Sequence, residues 1–235
     1  MTTLNACHLG PTSYREGLSL QEALVRARAD GRTGDWLLFP DHPPVLTVGR
    51  GAAPGGLVAD AGTLAARGIE IFEVARGGDI TWHGPGQLVG YAIADLSLRD
   101  RDLHRFLRGL EAALIDLLRG FGIESMRVPG RTGVWVEGEK IASLGIAVRR
   151  WVSYHGFALN VAPDLSFFEL IHPCGLRGVR MTSVAERLGA RAPSLSEARA
   201  AAAAAVALRL GYDRVRWAGV DEVREAAREA EVEVH

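Results

Sequence analysis

Two side chains in this sequence have the chemistry to exchange a proton and to act as nucleophile and base. Cys174 sits in the turn His172-Pro173-Cys174-Gly175-Leu176-Arg177-Gly178, and Lys140 is the one lysine among 27 basic residues. A free thiol usually packs as a small hydrophobe. A cysteine held between proline and glycine, just after the apolar run Phe167-Phe168-Glu169-Leu170-Ile171, stands instead where a reactive thiol would. A biased genome explains arginine wherever a surface needs only positive charge. It does not explain the surviving lysine, and the two differ where a proton must leave, because burial can neutralise lysine but not arginine. A nearby ammonium lowers the pKa of a thiol, and an apolar pocket makes a lysine easier to deprotonate. Either member of such a pair can act as nucleophile or base. Two strands and a loop separate them in sequence, so the fold must decide whether they meet.

A second constellation is Arg76-Gly77-Gly78-Asp79-Ile80-Thr81-Trp82-His83-Gly84-Pro85-Gly86-Gln87. Glycines let backbone approach a ligand, and successive amides can hold an oxyanion or a carbonyl oxygen. Neither a Walker pattern nor GxGxxG is present, so the segment reads as a binding loop of another kind, interrupting two strands. Among the seven histidines, His83, His155 and His172 lie near glycine-rich stretches. With no HExxH, no CxxC and no carboxylate cluster, structural hydrogen bonding fits them better than a metal. Were a histidine to serve the thiol, His83 is the better placed, since His172 is too close in sequence to Cys174 for an in-line base.

Elements must position these groups. The chain of 235 residues, 48% hydrophobic, is long enough for one core, and its net charge of −1 argues against a broad nucleic-acid footprint. The start lacks a basic region followed by an apolar one, and no stretch reaches the roughly 18 apolar residues of a membrane span. Those features predict a cytoplasmic protein that engages neither membrane nor nucleic acid, with Cys7 and Cys174 as reduced thiols. Ser13-x-x-Glu16 predicts a capped helix ending near Gly31. Residues 36–40 and 45–49 read as two buried strands around a Pro-fixed turn, 51–62 as loop, and 69–75 and 88–96 as strands. Leu103, Phe106, Leu107, Leu110, Leu114, Leu117 and Leu118 recur at helical spacing between Asp102 and Gly122. Residues 133–138, 140–150 and 153–161 read as antiparallel hairpin strands, with Lys140 opening the second. Helices are expected over 194–210 and 221–230. The expected fold is α+β: a single domain over 1–235, with a mixed or antiparallel sheet flanked by helices.

Taken together, the motifs resemble one family, the bacterial octanoyltransferases, also called lipoate-protein ligase B. RGGDITWHGPGQLVGY is similar to the family's central motif, with Trp82 where tyrosine is usual; GEKIASLGIAVRRWVSYHGFALNV resembles its lysine segment, HPCGL its cysteine turn and DHPPVLTVGR its early segment. The likeness runs from about residue 36 to 188, and residues 211–235 form an extension that matches nothing in it.

The resemblance implies a fold like the catalytic core of biotin and lipoate ligases. It implies that Cys174 accepts the acyl group with Lys140 as its activating partner. It further implies that Arg76, Gly77, Gly78, Asp79, Ile80, Thr81, Trp82 and His83, with Ser143, Leu144, Gly145, Gly156, Phe157 and Ala158, line the acyl site. The family's chemistry moves octanoyl from octanoyl-acyl carrier protein to a lysine of the lipoyl domains of 2-oxoacid dehydrogenase subunits or of glycine cleavage H protein, with no metal and no nucleotide. Backbone amides near Gly77, Gly78 or Gly145 would hold the oxyanion. Arg149 and Arg150, beside Trp151 on a hairpin turn, would offer a basic patch to an acidic carrier. The rival readings are an ATP-dependent lipoate or biotin ligase on the same fold and a non-catalytic acyl-binding protein.

Overall fold

The structure is a computed structural model, and it describes residues 1–172 and 179–228. In chain order its strands are β1 (Thr3–Pro11), β2 (Asp35–Asp41), β3 (Val45–Val48), β4 (Glu70–Glu73), β5 (Ile80–His83), β6 (Gln87–Ile93), β7 (Met126–Val128), β8 (Arg131–Val136), β9 (Glu139–Arg149), β10 (Val152–Asn160) and β11 (Arg214–Trp217). The helices are α1 (Tyr14–Ala29), α2 (Ala61–Ala66), α3 (Leu103–Gly120), α4 (Val184–Leu188), α5 (Leu195–Arg209) and α6 (Val220–Arg228). Residues 229 and 230, expected to extend α6, lie outside the described residues.

The described residues form an eight-stranded mixed sheet, ordered β11-β1-β2-β6-β10-β9-β8-β7, and a three-stranded sheet, ordered β4-β3-β5. The large sheet is parallel across β11-β1-β2 and antiparallel from β2 to β7. Its central strands are apolar on both faces because helices cover both. On β2, Leu37 and Phe39 join the core under α3 and α5, while Trp36 and Leu38 join the core under α1 and α6. Such two-sided burial explains why β6 reads as a near-continuous apolar run. Gly156 of β10 lies against Gly90 of β6 so closely that any Cβ would run into the Gly90 carbonyl.

Local signals hold at the helix ends. Ser13 caps α1 in a box with Glu16, Asp102 caps α3 by accepting from the Arg105 amide, and Ser194 forms a second box with Glu197. The hairpins expected over 133–161 are present as β8-β9-β10, and Arg150 and Trp151 form the β9–β10 turn with φ of 51° and 63°.

The buried strands expected at 36–40 and 45–49 are present and belong to different sheets: β2 is central in the large one, and β3 is the middle strand of the small one. One expectation needs correction. The segment 76–87, read as a loop, contains β5, which pairs antiparallel with β3 from Val48↔Ile80 to Val45↔His83. The glycines on either side of Ile80-Thr81-Trp82-His83 masked the strong β preference of its first three residues. The consequence is a second, smaller sheet where one was expected.

Candidate active site

A cavity of about 550 Å³ opens between β5 of the small sheet, with the segment before it, and the middle of β6, β9 and β10. That is ample for a small acyl ligand. Arg76, Gly78, Asp79, Ile80, Thr81 and His83 line one wall; Ser143, Leu144 and Gly145 of β9 and Gly156, Phe157 and Ala158 of β10 line another. Lys140 closes one side with the β7–β8 turn at Pro129, Gly130 and Arg131, which is exposed.

Two expected lining residues fall elsewhere. Trp82 is fully buried and stacks on Phe167 at 4.8 Å, with Phe168 edge-on at 5.6 Å, in the core between the small sheet and α2. Strand alternation sends Trp82 to that side and Thr81 and His83 to the cavity. Gly77 is not part of the lining, and its amide donates to the Ile146 carbonyl at 3.0 Å, so it has no proton to give an oxyanion.

Cys174 lies outside the described residues, as do Pro173 and residues 175–178. The chain on either side is held by backbone hydrogen bonds. Before them, the His172 amide donates to Gly56 O at 2.7 Å, and Ile171 bridges Leu57. After them, Lys140 N donates to Arg180 O at 2.9 Å and Thr182 N to Lys140 O at 3.0 Å, laying residues 180–182 parallel to the start of β9. The chain at residues 180–182 therefore docks on the backbone of Lys140 itself.

Lys140 is 3% exposed, and its Nζ lies 5.5 Å from the centre of the Trp135 ring. Arg76 is also buried; its Nη2 donates to Thr47 O and Oγ1, both at 2.8 Å, and Nη1 to Gly77 O at 3.1 Å. A fixed guanidinium inside the cavity wall discourages further positive charge, and the neighbouring imidazoles respond.

Burial pushes His83 down to about 3, with the charges of His42 and Arg76 adding to it. Burial and then Arg76 likewise push His155 down to about 3, and burial lowers His42. Burial raises Tyr14 to about 12 and Tyr91 well above its ordinary value. Around the Arg76 guanidinium the imidazoles and phenols at this end of the cavity are thus polar and neutral. His42 Nδ1 faces the Thr12 carbonyl at 2.7 Å and must carry the proton; its Nε2 then accepts from Tyr91 Oη at 2.6 Å. Gln87 Nε2 donates to Asn160 Oδ1 at 2.9 Å, which leaves Gln87 Oε1 to accept from His83 Nδ1 at 3.2 Å. Asn160 Nδ2 continues to Thr182 O at 3.0 Å. A chain of hydrogen bonds thereby links His83 through Gln87, Asn160 and Thr182 to the backbone of Lys140.

His155 adopts φ of 59°, a left-handed conformation that a non-glycine residue holds only under constraint. Its amide donates at 2.7 Å to Oε1 of Gln21, which is fully buried on α1. Sequence reading did not single out Tyr14, Gln21, His42, Tyr91 or Asn160. The one available signal was a polar residue inside an apolar strand, as Gln87, Tyr91, His155 and Asn160 all are.

The basic turn at Arg149 and Arg150 does not belong to this site. It lies nine residues along β9 from Lys140, roughly 30 Å at strand rise, and Arg150 is bound to Asp30 of α1 at 2.7 Å.

Comparison with known proteins agrees with this architecture. The catalytic-domain model of lipoyl protein ligases A and B matches residues 13–207. The octanoyltransferase of Geobacter sulfurreducens is 50% identical over 196 residues, covering 83% of this chain and 80% of that one. The octanoyltransferase of Chloroflexus aggregans is 46% identical over 200 residues, covering 84% and 90%. Among solved structures, lipoate-protein ligase A bound with ATP superposes with a TM-score of 0.79 at 21% identity, over 97% of this chain and 94% of that one. A bipartite lipoate protein ligase from Thermoplasma acidophilum gives 0.74 at 18%, over 99% and 95%. At those identities the two structures speak for the fold alone.

Proposed function

Because the chain belongs to the lipoyl protein ligase A/B catalytic family and is an octanoyltransferase, we propose that it takes octanoyl from the thioester of an acyl carrier protein onto Cys174 and passes it to a lysine of a lipoyl domain. The observation that carries this reading is the cavity bounded by Lys140, onto whose backbone residues 180–182, a few positions after Cys174, are docked. Lipoyl domains of 2-oxoacid dehydrogenase subunits and of glycine cleavage H protein are the proposed acceptors.

In the first step the Cys174 thiolate attacks the thioester carbonyl, the new C–S bond forms, and the carrier thiolate leaves. Its proton comes from the ammonium of Lys140, which had taken it from Cys174. In the second step the acceptor amine attacks the acyl-enzyme, the C–S bond breaks, and neutral Lys140 takes the amine proton and returns it to the cysteine sulfur. Thioester exchange is close to neutral and amide formation is downhill, so the sequence of steps requires no nucleotide. The octanoyl tail lies along the wall formed by β9 and β10, where buried methylenes gain about 0.8 kcal/mol each.

Intact mass of the protein mixed with octanoyl carrier protein tests the proposal. A hydroxylamine-sensitive octanoyl adduct on the native protein, absent from Cys174→Ala, is the expected result. No adduct, in protein that binds octanoate and consumes ATP, would replace this reading with an ATP-dependent ligase.

A further inference from the structure

The core-facing stripe of α3 is apolar at Phe106, Leu110, Ala113, Leu114, Leu117 and Leu118 and is broken by one carboxylate, Glu111, whose side chain has no exposure at all. Its Oε2 pairs with Arg108 Nη1 at 2.6 Å and with Arg127 Nε at 3.0 Å, and Arg127 also holds the Arg108 carbonyl at 2.6 Å. Oε1 is directed differently: it accepts from the backbone amide of Gly133, on β8, at 3.0 Å. A buried ion pair is weak ground for stability, since an apolar side chain of similar volume often serves as well. The position of this one supplies another reason.

Gly133 and Trp135 lie on one face of β8, and the Lys140 side chain crosses it. A Cβ on Gly133 would stand 2.6 Å from Lys140 Cε, and φ at Gly133 is +134°. Trp135 supports the ammonium end through its ring. The pairing of β8 with β9 slips by one residue at this place, from Val134↔Ala142 to Trp135↔Lys140. Such a bulge redirects side chains, and the extra residue here is Ile141 on β9, next to Lys140. Gly133, one residue before the slip on β8, is held from behind by Glu111.

Building on the role proposed above for Lys140, we propose that Glu111 is its positioning residue. By holding the Gly133 amide, Glu111 fixes the β8 side of the bulge and so keeps the Lys140 side chain directed across Gly133 and Trp135 toward the cavity. It acts on the placement of the proton carrier and makes no contact with the acyl group.

The test uses full-length protein in octanoyl transfer. Glu111→Leu, which removes the acceptor while Arg108 and Arg127 turn to solvent, is expected to lower kcat by at least about tenfold with KM for the octanoyl donor within about twofold. Glu111→Gln keeps an oxygen for Gly133 and is expected to restore kcat to within about threefold. Combined with Lys140→Arg, Glu111→Leu is expected to cause no further loss, because both act through one group. A kcat within twofold of native in Glu111→Leu, or a loss that multiplies with that of Lys140→Arg, would overturn the proposal. Should the leucine variant not fold, Glu111→Asp keeps the charge between the arginines but falls a methylene short of Gly133, and the same criteria apply. Native rates in Lys140→Arg would overturn the proposed function; a damaged Lys140→Arg beside an unaffected Glu111→Leu would overturn only the role of Glu111.

Discussion

The two ends of the cavity bury polar side chains by opposite means. At the Lys140 end, charges surround the site from behind: Glu111 between Arg108 and Arg127, and Glu139 between Arg180 and Arg187. At the His83 end the titratable groups facing Arg76 are imidazoles and phenols that burial holds neutral and that hydrogen-bond to one another and to the backbone. The contrast teaches where proton traffic belongs. In the proposed mechanism the Lys140 end carries the proton transfers, whereas burial holds the imidazoles of the far end neutral.

Lys140→Arg breaks the first half of that contrast most sharply. Arginine keeps the charge but cannot serve as a base, so octanoyl transfer should fall by about a hundredfold or more, read as the rate of acceptor octanoylation.

Acid probes the other half. A histidine with a depressed folded pKa takes up more protons when unfolded, so stability is undiminished above the unfolded value near 6.5 and falls as pH drops toward about 3. At pH 5, His83 and His155 should each weaken the fold by about 2 kcal/mol relative to pH 7, measured by urea unfolding. His155→Asn, which tolerates the left-handed backbone, should flatten that slope; equal slopes would mean that His155 is not held neutral.

A smaller effect sharpens the comparison. Gly133→Ala puts a methyl group against Lys140 Cε and strains the backbone. Transfer should fall about tenfold, while octanoate binding measured by calorimetry, which depends on the β9 and β10 wall, should change little. The smallest effect is expected from Arg149→Glu at the distant β9–β10 turn: transfer within about twofold of native at low salt, which would dissociate that turn from carrier recognition.

Much of the frame could be read along the chain. Ser13 and Glu16, Asp102 and the leucine spacing after it, and the three hairpin strands from 133 to 161 are local signals, because capping and periodicity act within a few residues. Ile80 to His83 escaped because flanking glycines outweighed four residues whose partner, β3, lies some 35 positions away. Lys140 announced itself by being alone of its type and Cys174 by its place between proline and glycine, although Cys174 lies outside the described residues. Glu111 gave no such signal, since a glutamate on a helix is ordinary until its burial is known.

The sequence by itself therefore determined the capped helices, the hairpin strands, the reactive residue types and the motif order that joins them to a family, since each depends on neighbours a few bonds or one helical turn apart. The tertiary structure alone decided which groups are neutral, that Trp82 belongs to a core and not to the cavity, and that α3 reaches β8 to hold Gly133. Those outcomes depend on burial and on contacts between distant segments, and neither exists until the sheets have closed around the site.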